Sequence, residues 1–144
     1  MARIATETEE QLKYETAVSK AKSHTPATSG VISRAACNAA NELKAAAIVS
    51  STKSGATARR ISQCRPECPI VAVTPSEKVA KSLAFCFGVY PVVAEDQNST
   101  DAMMANATKI AVENGFANSG DTVVIAAGLD QVGSTNLLKV SIVE

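Results

Sequence analysis

Between the apolar run "AAIVS" and the helix-compatible "ATARR", the chain places Thr52, Lys53, Ser54 and Gly55, with Thr57 just beyond. Thr52, Lys53 and Ser54 carry side-chain donors, Gly55 lets a backbone approach closely, and Thr57 falls in the first turn of the next helix. A helix N-terminus adds free N–H groups and the positive end of a dipole. The chemistry this points to is the holding of an anion, with phosphate the natural guest; the plainer alternative is a serine-and-glycine helix cap. The turn is not a G-x-x-x-x-G-K-[ST] loop, nor a G-x-G-x-x-G dinucleotide fingerprint. Two charge-assisted hydrogen bonds at about 1.5–3 kcal/mol each barely offset an association cost of at least about 4 kcal/mol. A useful ligand therefore needs a second anchor. The loop "AGLDQVGSTN" (127–136) is the candidate, offering Gly128, Gly133, Ser134 and Thr135. It holds no Lys or Arg, and Asp130 would repel a second phosphate. A flexible hairpin-like connection explains it equally well.

Little else in the chain suggests chemistry. The single histidine, His24, sits in the connector "SHTPATSG", where a solvated role is expected. Cys64 and Cys68 form a C-x3-C, but no second close pair or neighbouring histidine completes a zinc site. Cys37 and Cys86 are the remaining thiols, too few for a disulfide framework. Arg59, Arg60 and Arg65 could lower the pKa of Cys64, yet no base partners it. No catalytic residue and no metal ligand is assigned.

The elements that must position the turn follow from composition and periodicity. The 144 residues favour one domain and balance fourteen basic against fourteen acidic side chains, so bulk charge recruits neither nucleic acid nor a membrane surface. No apolar run reaches the roughly 18 residues of a membrane span, and the start "MARIATETEEQ" lacks a signal-peptide core. A cytoplasmic protein is expected. Hydrophobic residues make up 46% and aromatics only 3%, which implies a core of Ala, Val, Ile and Leu.

Residues 1–28 read as a charged helix and connector, and 29–144 as one α/β domain. Val31, Ala35, Ala39 and Leu43, flanked by Ile32 and Ala36, mark the buried face of a helix over 29–45. Strands are expected over 46–51, 69–74, 88–95, 119–128 and 134–144, with Pro91 placing the third at an edge or near a strand start. Helices are expected over 55–65, 75–87 and 99–116. The predicted fold is a three-layer sandwich. Its five-stranded, mostly parallel sheet has an antiparallel last strand and helices on both faces. Ligands then belong beyond the carboxyl ends of the strands, at loops 50–55, 74–76, 95–99 and 127–133.

The stretches "TKSGATAR", "RPECPIVAVTPSEKVAKSLA", "GVYPV" and "GDTVVIAAG…VGSTNLLKV" closely resemble the carboxy-terminal, allosteric and tetramerisation domain of pyruvate kinase, over most of residues 29–143. The opening residues are similar to the helix leaving that family's catalytic barrel, and the compact loops suggest a bacterial member. The resemblance implies a parent phosphotransferase of glycolysis, converting phosphoenolpyruvate and ADP to pyruvate and ATP with Mg and K in the barrel. No cofactor is implied for this chain, which is expected to be inactive alone. It further implies a homo-oligomer and a phosphorylated effector, a sugar phosphate or AMP, cradled by Thr52, Lys53, Ser54, Gly55 and Thr57. Eukaryotic members hold the second phosphate of fructose 1,6-bisphosphate with a tryptophan and an arginine. This chain has no tryptophan, and residues 97–118 contain no arginine. Two other readings remain: a stand-alone enzyme acting on a phosphorylated metabolite, or a purely structural domain that assembles subunits through the helices at 29–45 and 75–87 or the final strand.

Overall fold

The computed structural model describes residues 27–128 and 135–144. In chain order the elements are α1 (Thr28–Glu42), β1 (Ala47–Ser51), α2 (Ala56–Gln63), β2 (Ile70–Thr74) and α3 (Glu77–Leu83). They continue with β3 (Val89–Val93), α4 (Thr100–Glu113), β4 (Thr122–Ala127) and β5 (Leu137–Ile142). The helix and connector expected over 1–28 lie, up to residue 26, outside the described residues.

β1, β2 and β4 are near-continuous apolar runs because both faces of the sheet are covered. The strand order is β3-β2-β1-β4-β5. β1 pairs in parallel with β2 (Ile48 opposite Ile70) and with β4 (Ile48 opposite Val124), and β2 pairs in parallel with β3. β5 returns antiparallel on β4, with Val124 opposite Val140. The fold is the expected α/β sandwich. One core layer joins Ile48, Ile70 and Val124 to Cys37 of α1, Ile61 of α2 and Leu83 of α3. The other joins Val49, Val71 and Ile125 to Met104, Ile110 and Ala111 of α4.

Local chemistry explains most boundaries. The Ser76 hydroxyl accepts from the Val79 amide at the start of α3, and the Ser99 hydroxyl accepts from the Ala102 amide at the start of α4. α4 stops at Glu113 because Gly115 takes φ +78° immediately after the cap. α3 is shorter than the span 75–87 suggested, ending at Leu83 ahead of the turn that leads to Gly88 at φ +66°. Pro91 lies in β3, an edge strand among the described residues, where a missing ladder donor is tolerated.

The buried face of α1 differs from the expected one. Val31 and Leu43 are exposed, while Ser29, Ser33, Ala36, Cys37, Ala40 and Asn41 are buried. Small side chains let the helix lie close to the sheet, and the Ser33 hydroxyl donates to the Ser29 carbonyl at 2.7 Å, so burying it leaves no donor unpaired. Of the expected face, Ala36 and Ala39 do pack against the core, whereas Val31 and Leu43 do not.

Candidate functional site

β1 delivers Thr52 to the carboxyl edge of the sheet, where its amide still donates to the Val73 carbonyl of β2 at 2.9 Å. The Thr52 hydroxyl then accepts from the Gly55 amide at 2.9 Å and closes the turn. Gly55 is the N-cap of α2 at φ +84°, and no side chain caps this helix end. The Ser54 hydroxyl lies 3.4 Å from the Ala56 amide, a long contact. Helix α2 starts after a glycine rather than a capping serine, so no N-cap side chain occupies its first-turn N–H groups.

Arg59 braces this turn in a way the sequence did not suggest. Its guanidinium donates through Nη1 to the Ser54 carbonyl at 3.0 Å and through Nη2 to the Ser82 hydroxyl of α3 at 2.8 Å. Arg59 thus serves partly as a structural clamp between the turn and α3. Arg60 remains exposed.

Thr57 is buried, and its hydroxyl is hydrogen-bonded to that of Thr135, also buried, in the segment entering β5. β1 and β4 are neighbours although α2, β2, α3, β3 and α4 intervene in the chain, so this bond crosses the point where strand order reverses. Two loops singled out in the sequence are joined here. Gly128 lines the same cavity as Thr52, Lys53, Ser54 and Thr57; Gly133 and Ser134 lie outside the described residues.

That cavity has a volume of about 250 Å³ and opens between the turn after β1 and the segment after β3. Val73, Met103 and Ala107 give it an apolar side, while Glu95, Asp96, Gln97 and Asn106 give it a polar one. Among the described residues Lys53 is the single cation lining it, and its ammonium lies 2.7 Å from a carboxylate oxygen of Asp96. Glu95 and Asp96 were missed as site residues. The expected loop 95–99 was the available signal, since it too follows a parallel strand.

Cys37, Cys64, Cys68 and Cys86 are free thiols, and Cys37 and Cys64 are buried. The Cys37 thiol is held far above its ordinary range by its contact with Cys64 and by burial. Cys64 is pulled below its ordinary value, but chiefly by the hydrogen bond from Cys37 and then by Arg34, against burial. The expected Arg59, Arg60 and Arg65 do not cause that shift; Arg65 instead stacks over the Phe87 ring at 4.5 Å. Burial pushes Cys68 up to about 11. Among the described residues, no group of three or more His, Cys, Asp or Glu side chains is placed to hold a metal ion. No helix among them is long and apolar enough to cross a membrane.

Fold and site together define an α/β domain whose sheet reverses order beside a lysine-bearing turn at the carboxyl end of its central strand. Residues 30–141 match the pyruvate kinase alpha/beta domain, and the chain belongs to that family as a pyruvate kinase C-terminal domain. It is 44% identical over 147 aligned positions to the pyruvate kinase of Clostridium acetobutylicum, covering all of this chain but 31% of that protein. Against the pyruvate kinase of Staphylococcus epidermidis the identity is 48% over 103 residues, covering 70% of this chain and 18% of the relative. The crystal structure of a pyruvate kinase from Cryptosporidium parvum superposes with a TM-score of 0.83 at 27% identity, over 94% of this chain and 27% of that one. The chain thus spans less than a third of the length of these relatives.

Proposed function

We propose that this chain is the regulatory and subunit-assembling part of a pyruvate kinase. In this reading it binds a phosphorylated metabolite, a sugar phosphate or AMP, at residues 52–57 and performs no chemistry alone. Transfer of a phosphoryl group from phosphoenolpyruvate to ADP belongs to the remainder of the longer protein. One observation carries the reading. Lys53 and the hydroxyl-rich turn stand at the side-chain-uncapped start of α2, on the rim of a cavity at the carboxyl ends of the parallel strands. The arrangement suits one phosphate at the helix start with the rest of the molecule in the cavity. A stand-alone enzyme would need a general acid or base beside Lys53, and among the described residues the cavity offers only the carboxylates of Glu95 and Asp96.

The test is a heteronuclear NMR titration of the chain with AMP and with sugar phosphates. Amide shifts concentrated at Lys53 to Thr57 support the reading, and unchanged shifts there reject it. Assembly is the second half of the proposal. Val140 and Ile142 are exposed on β5, which is an open edge among the described residues, and Val31 of α1 and Leu43 at its C-cap are exposed too. A solution mass equal to a single chain at high concentration would remove the homo-oligomer from the proposal for this chain.

A further inference from the structure

Two thiols face each other in the seam between α1 and α2, and the effector reading uses neither. Cys37 stands in the middle of α1, and Cys64 is the C-cap of α2. Both converge on one acceptor. The Cys37 thiol lies 3.6 Å from the Ile61 carbonyl, and the Cys64 amide donates to that same carbonyl at 3.0 Å. The side chains also meet directly, with the Cys37 thiol donating to the Cys64 sulfur. Both residues belong to the core layer that packs α1 and α2 on the sheet, at 0% and 2% exposure.

A buried cysteine by itself is a small apolar filler. This pair differs in two respects. Each sulfur has the other for a neighbour, which is the contact from which a disulfide forms. Arg34, one turn before Cys37 on α1, also acts on Cys64 and favours its thiolate, the attacking form of a sulfur. Cys64 is thus set up to attack and Cys37 to resolve. Cys68 and Cys86 are partly exposed, and burial chiefly disfavours the thiolate of Cys68.

We infer that Cys37 and Cys64 are a site of oxidative modification, closing under a small hydroperoxide into a reversible disulfide that staples α1 to α2. The Cys64 thiolate attacks one peroxide oxygen and the O–O bond breaks. Cys64 becomes a sulfenic acid, and the departing hydroxide takes up a proton to leave as water. The Cys37 sulfur then attacks the Cys64 sulfur, gives up its proton and displaces the hydroxyl group as a second water. Two thiols and one hydrogen peroxide yield one disulfide and two waters, and a dithiol reductant reverses the link. The ring so closed runs from 37 to 64 and takes in β1, the turn at 52–57 and α2. Oxidation therefore constrains the segment that carries the candidate anion turn. Burial selects the oxidant. A peroxide is little larger than water and enters when the seam opens briefly, whereas oxidised glutathione requires the helices to part.

The experiment uses the 144-residue chain and a Cys68→Ala/Cys86→Ala variant that keeps only the pair. Each is treated with hydrogen peroxide or with oxidised glutathione, then denatured and alkylated. With peroxide the variant should lose about 2 Da, and both proteins should yield a tryptic peptide linking 35–44 to 61–78. Peroxide should raise the melting temperature by about 6–12 °C, and dithiothreitol should reverse the rise. Oxidised glutathione should do neither at equal exposure. Cys37→Ala and Cys64→Ala should each abolish the rise, with melts in reductant confirming that both variants fold. Full alkylation of Cys37 and Cys64 after peroxide, or a bond from either to Cys68 or Cys86, overturns the inference. Conversion of Cys64 to a sulfinic acid without a link overturns it equally.

Discussion

Replacing Gly55 by alanine tests the geometry of the turn most directly. At φ +84° an added Cβ stands in backbone space that L side chains disfavour, a cost of about 1–2 kcal/mol. It would also meet Arg59 Nη1 at 3.0 Å, Val79 Cγ1 at 3.1 Å and Leu83 Cδ2 at 3.2 Å. None of these yields easily. Arg59 is held by Ser54 and Ser82, and Leu83 is fully buried against the sheet. Crowding of this kind costs about 1–3 kcal/mol. The sum is about 2–5 kcal/mol, a large part of the 5–15 kcal/mol typical of a domain. The melting temperature should fall by about 5–15 °C. Gly115→Ala is the control, since it shares the backbone penalty at φ +78° but meets nothing within 4 Å. Urea denaturation of both variants, with unchanged slopes, separates the two contributions. Equal losses in the two variants, or a loss below about 1 kcal/mol in Gly55→Ala, would refute the claim that α3 packs against the Gly55 backbone.

Three other outcomes are expected. Thr135→Val strands the buried Thr57 hydroxyl and should cost about 1–3 kcal/mol, whereas the double variant Thr57→Val/Thr135→Val should recover part of the loss; a denaturation double-mutant cycle measures the coupling, and simple additivity would contradict it. Ser50→Ala removes a fully buried hydroxyl that has no hydrogen-bond partner, so chemical denaturation should find the variant as stable as the parent or more so. Cys68 has its folded-state pKa raised from 9.0 to about 11, so its contribution is whole below pH 9 and lost as pH climbs through 11. Stability from urea denaturation should fall across that window by up to about 3 kcal/mol, and Cys68→Ala should flatten that part of the profile.

The strands were readable because burial on both faces demands continuous β-branched and small apolar runs, and "AAIVSS", "PIVAVT" and "TVVIAA" have little else to offer. The turn after β1 was readable for a similar reason: lysine, hydroxyls and glycine between a strand and a helix have few explanations. Helix α1 was partly misread because its contact with the sheet is made by Ser29, Ser33, Ala36 and Cys37, and a count of large apolar residues favours Val31 and Leu43 instead. The shift of Cys64 was likewise assigned to arginines near it in sequence, while its strongest neighbour, Cys37, comes from another helix.

The order of elements, the candidate anion turn and the family resemblance were determined by the sequence alone, because each rests on residues close together in the chain. Tertiary structure decided what faces that turn. Parallel pairing of β1, β2 and β3 brings the segments after β1 and β3 to one edge of the sheet, so Asp96 reaches Lys53 across forty-three positions of chain. The pairing of β4 beside β1 likewise joins Thr135 to Thr57. Contacts of that range depend on strand order and register, which arise from the whole sheet at once.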